Sequence, residues 1–123
     1  MKIPDLKLLK DEQLVELFTK ISLEQYDALE EDETEKFNRL YDDMEEVKSE
    51  MKGRDGDQRR LLVPLLKHPN AQVRLKSAIA TLALAPDEAM KALRRISDEN
   101  DYPQAAYARG MIEGIEEGRV IPS

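Results

Sequence analysis

Apolar residues recur along this chain at the three- and four-residue spacing of amphipathic helices, and nowhere do they alternate as in a strand. One such series lies within residues 11–29 and comprises Leu14, Phe18, Ile21 and Leu29. A second, the most regular in the chain, comprises Phe37, Leu40, Tyr41, Met44, Val47 and Met51. The pattern predicts two helices, the second capped by Thr34 and ending at Lys52 and Gly53.

Four shorter helices are predicted in the second half of the chain. The first covers about 57–67, where Pro64 should introduce a kink. The next covers 71–85 and is apolar on nearly all sides, which indicates a central helix. Pro86 begins the fifth helix and residues 103–117 form the sixth. The central helix carries one polar stripe, predicted to meet solvent or a partner: Arg74, Ser77 and Thr81.

The length of 123 residues predicts a single all-α domain, 1–123. Within it we expect an acidic helical pair at 11–52, followed by helix pairs at 57–85 and 86–117. The glycine-rich segment GRDGD that follows the acidic pair is predicted to be a turn and the place of a hinge.

The two later helix pairs repeat one another at a period of about thirty residues, which is typical of helical solenoids. Residues 60–83, RLLVPLLKHPNAQVRLKSAIATLA, resemble a HEAT repeat: leucines surround a proline, and Val73-Arg74 and the small Ala78 follow a short turn. Asn70 stands where HEAT repeats usually carry Asp. The resemblance implies a HEAT/armadillo-like right-handed stack of about six helices, an alpha-alpha superhelix.

A wider resemblance covers residues 12 to about 115. The order LVELFTKISLEQYDAL, then KFNRLYDDMEEV, then the HEAT-like unit is similar to a family of small bacterial proteins known as a domain of unknown function. That resemblance implies the same armadillo or HEAT-like fold. It supplies no catalytic residue.

Charge is distributed unevenly along the chain. Residues 1–52 contain 16 Asp or Glu and 8 Lys or Arg, whereas residues 53–123 contain 10 and 11, and the whole chain has a net charge of -7. The acidic first half should attract basic partners and repel nucleic acid.

Little in the composition favours catalysis. The chain has no Cys, and its one histidine, His68, precedes a proline at a helix end, where a capping role fits better than chemistry. We therefore expect no catalytic residue, no metal site and no cofactor. The N-terminal residues lack an apolar run, so we expect neither a signal peptide nor a membrane span, and a cytoplasmic location.

These features favour a protein-protein interaction module without catalysis, acting through the second, fourth and sixth helices. A narrower hypothesis is an immunity-type inhibitor whose acidic first half occupies the basic active site of a toxin. Alanine at Arg74 or Arg109 is predicted to weaken a partner without lowering the melting temperature. The predicted partner-binding residues, which are polar and lie off the apolar series, are Asn38, Arg39, Asp42, Arg74, Ser77, Thr81, Arg109 and Glu113.

Two alternatives stay open. The basic residues Arg59, Arg60 and Arg74 would suit a HEAT-like enzyme that acts on nucleic acid or a nucleotide. The spaced glycines of the last helix would suit a homodimer formed through the Gly110 and Gly114 face, because each glycine permits a close approach.

Overall fold

The computed structural model describes residues 3–123, and among those residues helices are the only regular secondary structure, with no strand. This confirms the all-α class. A short 3₁₀ turn (Leu6–Leu8) and a 3₁₀ helix (Gln58–Lys67) accompany the α-helices, which are α1 (Asp11–Glu30), α2 (Thr34–Gly53), α3 (Ala71–Thr81), α4 (Pro86–Glu99) and α5 (Gln104–Glu116). The chain divides into two compact units, which we call unit 1 (up to Leu61) and unit 2 (from Leu62).

Unit 1 is built from α1 packed along α2. Most buried side chains belong to the two predicted apolar series, and Gln25 is buried on the same face of α1. Three predicted members differ: Tyr41 is 42% exposed, and Phe37 and Leu29 are half-buried. Ala28, the neighbour of Leu29, is buried instead. The core therefore forms where the periodicity predicts it. Its buried apolar residues are Leu14, Phe18, Ile21, Ala28, Leu40, Met44, Val47 and Met51.

One arginine ties the ends of unit 1 together. Arg54, just after α2, donates to Glu50 at 2.8 Å and to Asp11 at 2.9 Å. It also donates to the backbone carbonyl of Leu6 at 3.0 Å. The start of α1 and the preceding 3₁₀ turn are thus fixed to the C-terminal end of α2. The hydrogen bonds to Glu50 and Asp11 also raise the pKa of Arg54 above its ordinary value.

Unit 2 is organised around α4, which packs against both α3 and α5. A second buried contact joins α3 to α5, where Gln104 Nε2 donates to Gln72 Oε1 at 3.1 Å. Both amides are buried, so this hydrogen bond offsets part of their desolvation cost. The apolar core of the unit comprises Leu75, Ala78, Leu82, Ala89, Leu93, Ile96 and Ala108.

Two helices differ from their predicted form. Residues 58–67 make a 3₁₀ helix instead of a kinked α-helix. Pro64 lacks an amide hydrogen, and its ring would clash with the carbonyl of Arg60 in an α-helix. The helix predicted at 71–85 ends at Thr81. Ala85 precedes Pro86 and leaves the helical region, as residues before proline tend to do.

Candidate functional site

A groove with a volume of about 610 Å³ lies in unit 2 between the 3₁₀ helix and α4. Its size falls within the usual range of ligand sites in proteins. The α4 residues that line it are spaced as one helix face, so a single regular helix presents them together. The complete lining is Val63, Pro64, Leu66, Lys67, Glu88, Lys91, Ala92 and Arg95.

The floor of this groove is apolar and rests on the core of the unit. Leu66 from the 3₁₀ helix and Ala92 from α4 are half-buried and pack against the buried cluster. Val63 is also half-buried. Side chains held by a packed core keep their positions, so the floor offers a fixed apolar surface.

The rim of the groove is charged and exposed. Lys67 extends from one wall, and Lys91 and Arg95 extend from the other. Glu88 is the one carboxylate in the lining, which leaves the groove with a net charge of +2 from three cations and one anion.

The groove cations differ from the other basic residues of unit 2. That unit contains eight Lys or Arg. Three of the eight have no ion pair or hydrogen-bond partner among the described residues, and these are Lys67, Lys91 and Arg95 of the groove. The remaining five have partners within unit 2: Arg74 pairs with Glu99, Arg94 with Glu116 and Arg119 with Glu117, Arg109 donates to Ser97, and Lys76 lies over the ring of Tyr107.

The predicted polar stripe of α3 does not face solvent. Ser77 and Thr81 are 0% exposed, so neither side chain can belong to an exposed partner-binding surface. The Thr81 hydroxyl donates to the carbonyl of Ser77 at 2.8 Å, and the Ser77 hydroxyl donates to the carbonyl of Arg74 at 3.1 Å. Because each hydroxyl is satisfied within its own helix, both residues can be buried at little cost.

The two predicted arginines hold the fold of unit 2 together. Arg74 pairs with Glu99 across α3 and α4. Arg109, on α5, donates to the carbonyl of Ser97 at 2.8 Å and to Oδ1 of Asn100 at 2.6 Å, which fixes the connection between α4 and α5. Their guanidinium groups are thus engaged within the chain. The other predicted partner-binding residues are exposed: Asn38, Arg39 and Asp42 on α2, and Glu113 on α5.

The glycine face of α5 is partly covered by the chain itself. A Cβ on Gly114 would lie 2.7 Å from Cγ2 of Val120, and the amide of Val120 donates to the Gly114 carbonyl at 2.9 Å. The segment after α5 therefore folds back over Gly114 and occupies half of the predicted dimer face. Gly110 has no heavy atom within 4 Å of a Cβ position. Gly118, with φ of +77°, ends the helix.

The predicted basic patch is largely neutralised. Arg59 donates to both carboxylate oxygens of Asp57, at 2.9 and 2.8 Å, and this hydrogen bonding lowers the pKa of Asp57. Arg74 is engaged by Glu99. Arg60 is exposed. Two of the three cations proposed for nucleic acid are thus already paired with carboxylates.

Among residues 3–123, no group of three or more His, Cys, Asp or Glu side chains is arranged to hold a metal ion. His68 belongs to a turn, where its Nδ1 accepts a hydrogen bond from the amide of Asn70 at 3.0 Å. No helix in that part of the chain is both long and apolar enough to cross a membrane.

Residues 12–116 match DUF2019, a family described as a domain of unknown function, and the chain belongs to that family. The predicted resemblance to a domain of unknown function is thereby confirmed. The chain is also similar to the crystal structure of the protein RPA1889 from Rhodopseudomonas palustris CGA009. The two share 40% sequence identity and a TM-score of 0.94, and the match covers 98% of this chain and 100% of the other. Among curated proteins, none matches.

Proposed function

We propose that the chain is a protein-binding module without catalysis, a HEAT-like scaffold that binds its partner in the groove between the 3₁₀ helix and α4. One observation carries the proposal. The basic side chains of unit 2 that have no partner among the described residues, Lys67, Lys91 and Arg95, all line that groove.

The lining suits a protein partner. Protein interfaces combine an apolar centre with a polar rim, and here Leu66 and Ala92 form an apolar floor between charged walls. The rim side chains are exposed in the free chain, so a partner that covers them would exclude water and strengthen each charged contact. The proposed surface replaces the one predicted on α3, where Ser77 and Thr81 are buried.

The groove is tested by reversing its charge. Lys91→Glu with Arg95→Glu changes two exposed side chains on one wall. Lys7→Glu with Lys20→Glu makes the same change in net charge at exposed positions of unit 1 and serves as the matched control. Circular dichroism and melting temperature should show that both variants keep the fold.

Each tagged protein is then used for affinity capture from a bacterial lysate. We expect a protein that is recovered by the wild type and the control and lost with the groove variant. On adding that protein, hydrogen exchange should slow in residues 63–67 and 88–95. Equal recovery by the groove variant would contradict the proposal. If the recovered protein is basic and is captured at least as well by the control, whose unit 1 is more acidic, that result would favour the immunity-type hypothesis. Retention of nucleic acid instead of protein would favour the enzyme alternative.

A further inference from the structure

The geometry of the groove points to the chemistry of its occupant. We infer, on the basis of the proposed function, that the groove binds an acidic amphipathic helix of the partner protein. The apolar side chains of that helix lie on the floor formed by Leu66 and Ala92, and its carboxylates contact Lys67, Lys91 and Arg95.

Charge complementarity supports an acidic occupant. The groove has a net charge of +2 in a chain whose net charge is -7, so it departs in sign from the molecule as a whole. Elsewhere in unit 2 the basic residues are satisfied by carboxylates, backbone oxygens or a ring. Carboxylates supplied by a partner would complete the same pattern, and a guanidinium such as that of Arg95 can hold a carboxylate with two hydrogen bonds.

The arrangement of the cations supports an elongated occupant. Lys91 and Arg95 are one helical turn apart on α4, and Lys67 stands on the opposite wall. From Glu88 to Arg95 the α4 wall extends about 10 Å, which is the length of two helical turns. A helix of two to three turns in this groove could place carboxylates against both walls and apolar residues on the floor, as in other helix-in-groove complexes.

Glu88 gives the groove a direction. It lies at the N-terminal end of the α4 wall, whereas Arg95 lies at the C-terminal end. An acidic residue placed beside Glu88 would be repelled, so the partner helix should be neutral or basic at that end and acidic beyond it.

Two synthetic peptides test this inference. The probe is a fluorescein-labelled helical peptide with leucines on one face and glutamates on the other, and its control has glutamines in place of the glutamates, because a lysine peptide would be attracted to the acidic unit 1. Fluorescence anisotropy is measured with the wild type, the Lys91→Glu/Arg95→Glu variant, the Lys7→Glu/Lys20→Glu control and Lys67→Glu on the opposite wall. We expect the acidic peptide to bind the wild type and the Lys7→Glu/Lys20→Glu protein about tenfold or more tightly than the glutamine peptide does. Both groove variants should lose that preference.

Equal binding of the two peptides would overturn the inference, as would binding of the acidic peptide that neither groove variant weakens. Displacement of the acidic peptide by a single-stranded oligonucleotide at lower concentration than by unlabelled peptide would also overturn it.

The two proposals fail in different ways. Lysate capture that yields a groove-dependent protein with a basic or uncharged bound segment would overturn this inference while supporting the proposed function. Groove-dependent binding of the acidic peptide, together with lysate capture that is independent of the groove, would support the chemistry inferred here and contradict the proposed function.

Discussion

Arg74 near the start of α3 contacts both carboxylate oxygens of Glu99 at the end of α4, at distances of 3.1 and 2.8 Å. Each side chain carries a charge that is unfavourable at its position, because the helix dipole disfavours a cation near the N-terminus and an anion near the C-terminus. The pair compensates for both effects and links the two helices. The guanidinium side chain is only 14% exposed, although the carboxylate is 38% exposed.

Arg74→Ala is therefore expected to lower the free energy of unfolding by about 1 kcal/mol or more. This reverses the expectation, drawn from sequence, that alanine at this position leaves the melting temperature unchanged. Urea unfolding measures the loss, and a double-mutant cycle with Glu99→Ala isolates the pair. Arg94→Ala is the control, because Arg94 and Glu116 are 3.8 Å apart and 55% and 60% exposed. If Arg74→Ala and Arg94→Ala lowered the free energy of unfolding equally, that result would contradict a special role for Arg74.

Two glycines of α5 should respond to alanine in opposite directions. At Gly110 a Cβ meets no atom within 4 Å, so Gly110→Ala should stabilise the helix by about 0.5–1 kcal/mol. At Gly114 the new Cβ would lie 2.7 Å from Val120, so Gly114→Ala should destabilise the chain or displace the segment after α5. Thermal unfolding compares the variants. Adding Val120→Ala should relieve the Gly114→Ala defect, and failure of that rescue would show that the contact is unimportant.

A charge introduced at Ser77 should be severely destabilising. The side chain is 0% exposed, and its hydroxyl is satisfied by the carbonyl of Arg74. Ser77→Asp would bury a carboxylate and should cost about 3 kcal/mol or more, whereas Ser77→Ala should change stability little. Asn38→Asp, at an exposed position of α2, should stay within about 0.5 kcal/mol of the wild type. Equal urea midpoints for Ser77→Asp and Asn38→Asp would contradict the burial of Ser77.

The Asp57–Arg59 pair predicts a contribution to stability at neutral pH that acid removes. Hydrogen bonds from Arg59 lower the pKa of Asp57 below its ordinary value of 3.8. Since the folded pKa is the lower one, the contribution is fully present above 3.8 and is lost as the pH falls through the folded pKa. Asp57→Asn should cost up to about 1 kcal/mol at neutral pH and progressively less in acid. Asn tolerates the positive φ of 49° at this position.

Urea unfolding over an acid pH series measures this effect. Asp55→Asn removes an exposed neighbouring carboxylate and is the control. A stability difference between wild type and Asp57→Asn that is the same at every pH would contradict the pairing as its cause.

Much of the fold could be predicted from the sequence because burial in unit 1 is one-sided. When a helix packs through a single face, the spacing of residues such as Leu14, Phe18 and Met44 reports that face directly. The α3 helix is different, since it also buries Ser77 and Thr81. Hydroxyls that bond to their own helix can be buried like apolar groups, so polarity does not reveal their exposure.

The candidate groove could not be predicted in the same way. Its walls come from the 3₁₀ helix and from α4, and in the sequence the whole of α3 lies between these two elements. The spacing of Glu88, Lys91 and Arg95 does place them on one face of a helix, so the α4 wall of the groove could have been predicted from the sequence. Whether a cation is free depends on distant residues, as Arg74 and Glu99 illustrate, and no local pattern records such contacts.

The groove presents three cations, and this number has a consequence for which anions it can hold. Beyond about 8 Å at physiological ionic strength, charges attract or repel one another only weakly, so a carboxylate contributes to binding only where it lies close to Lys67, Lys91 or Arg95. A short segment with a few carboxylates can pair with all three cations, whereas most charges of a long polyanion find no cation in the groove. The charge distribution therefore selects by the length of the anion as well as by its sign, and favours a brief acidic stretch in an otherwise uncharged or basic protein.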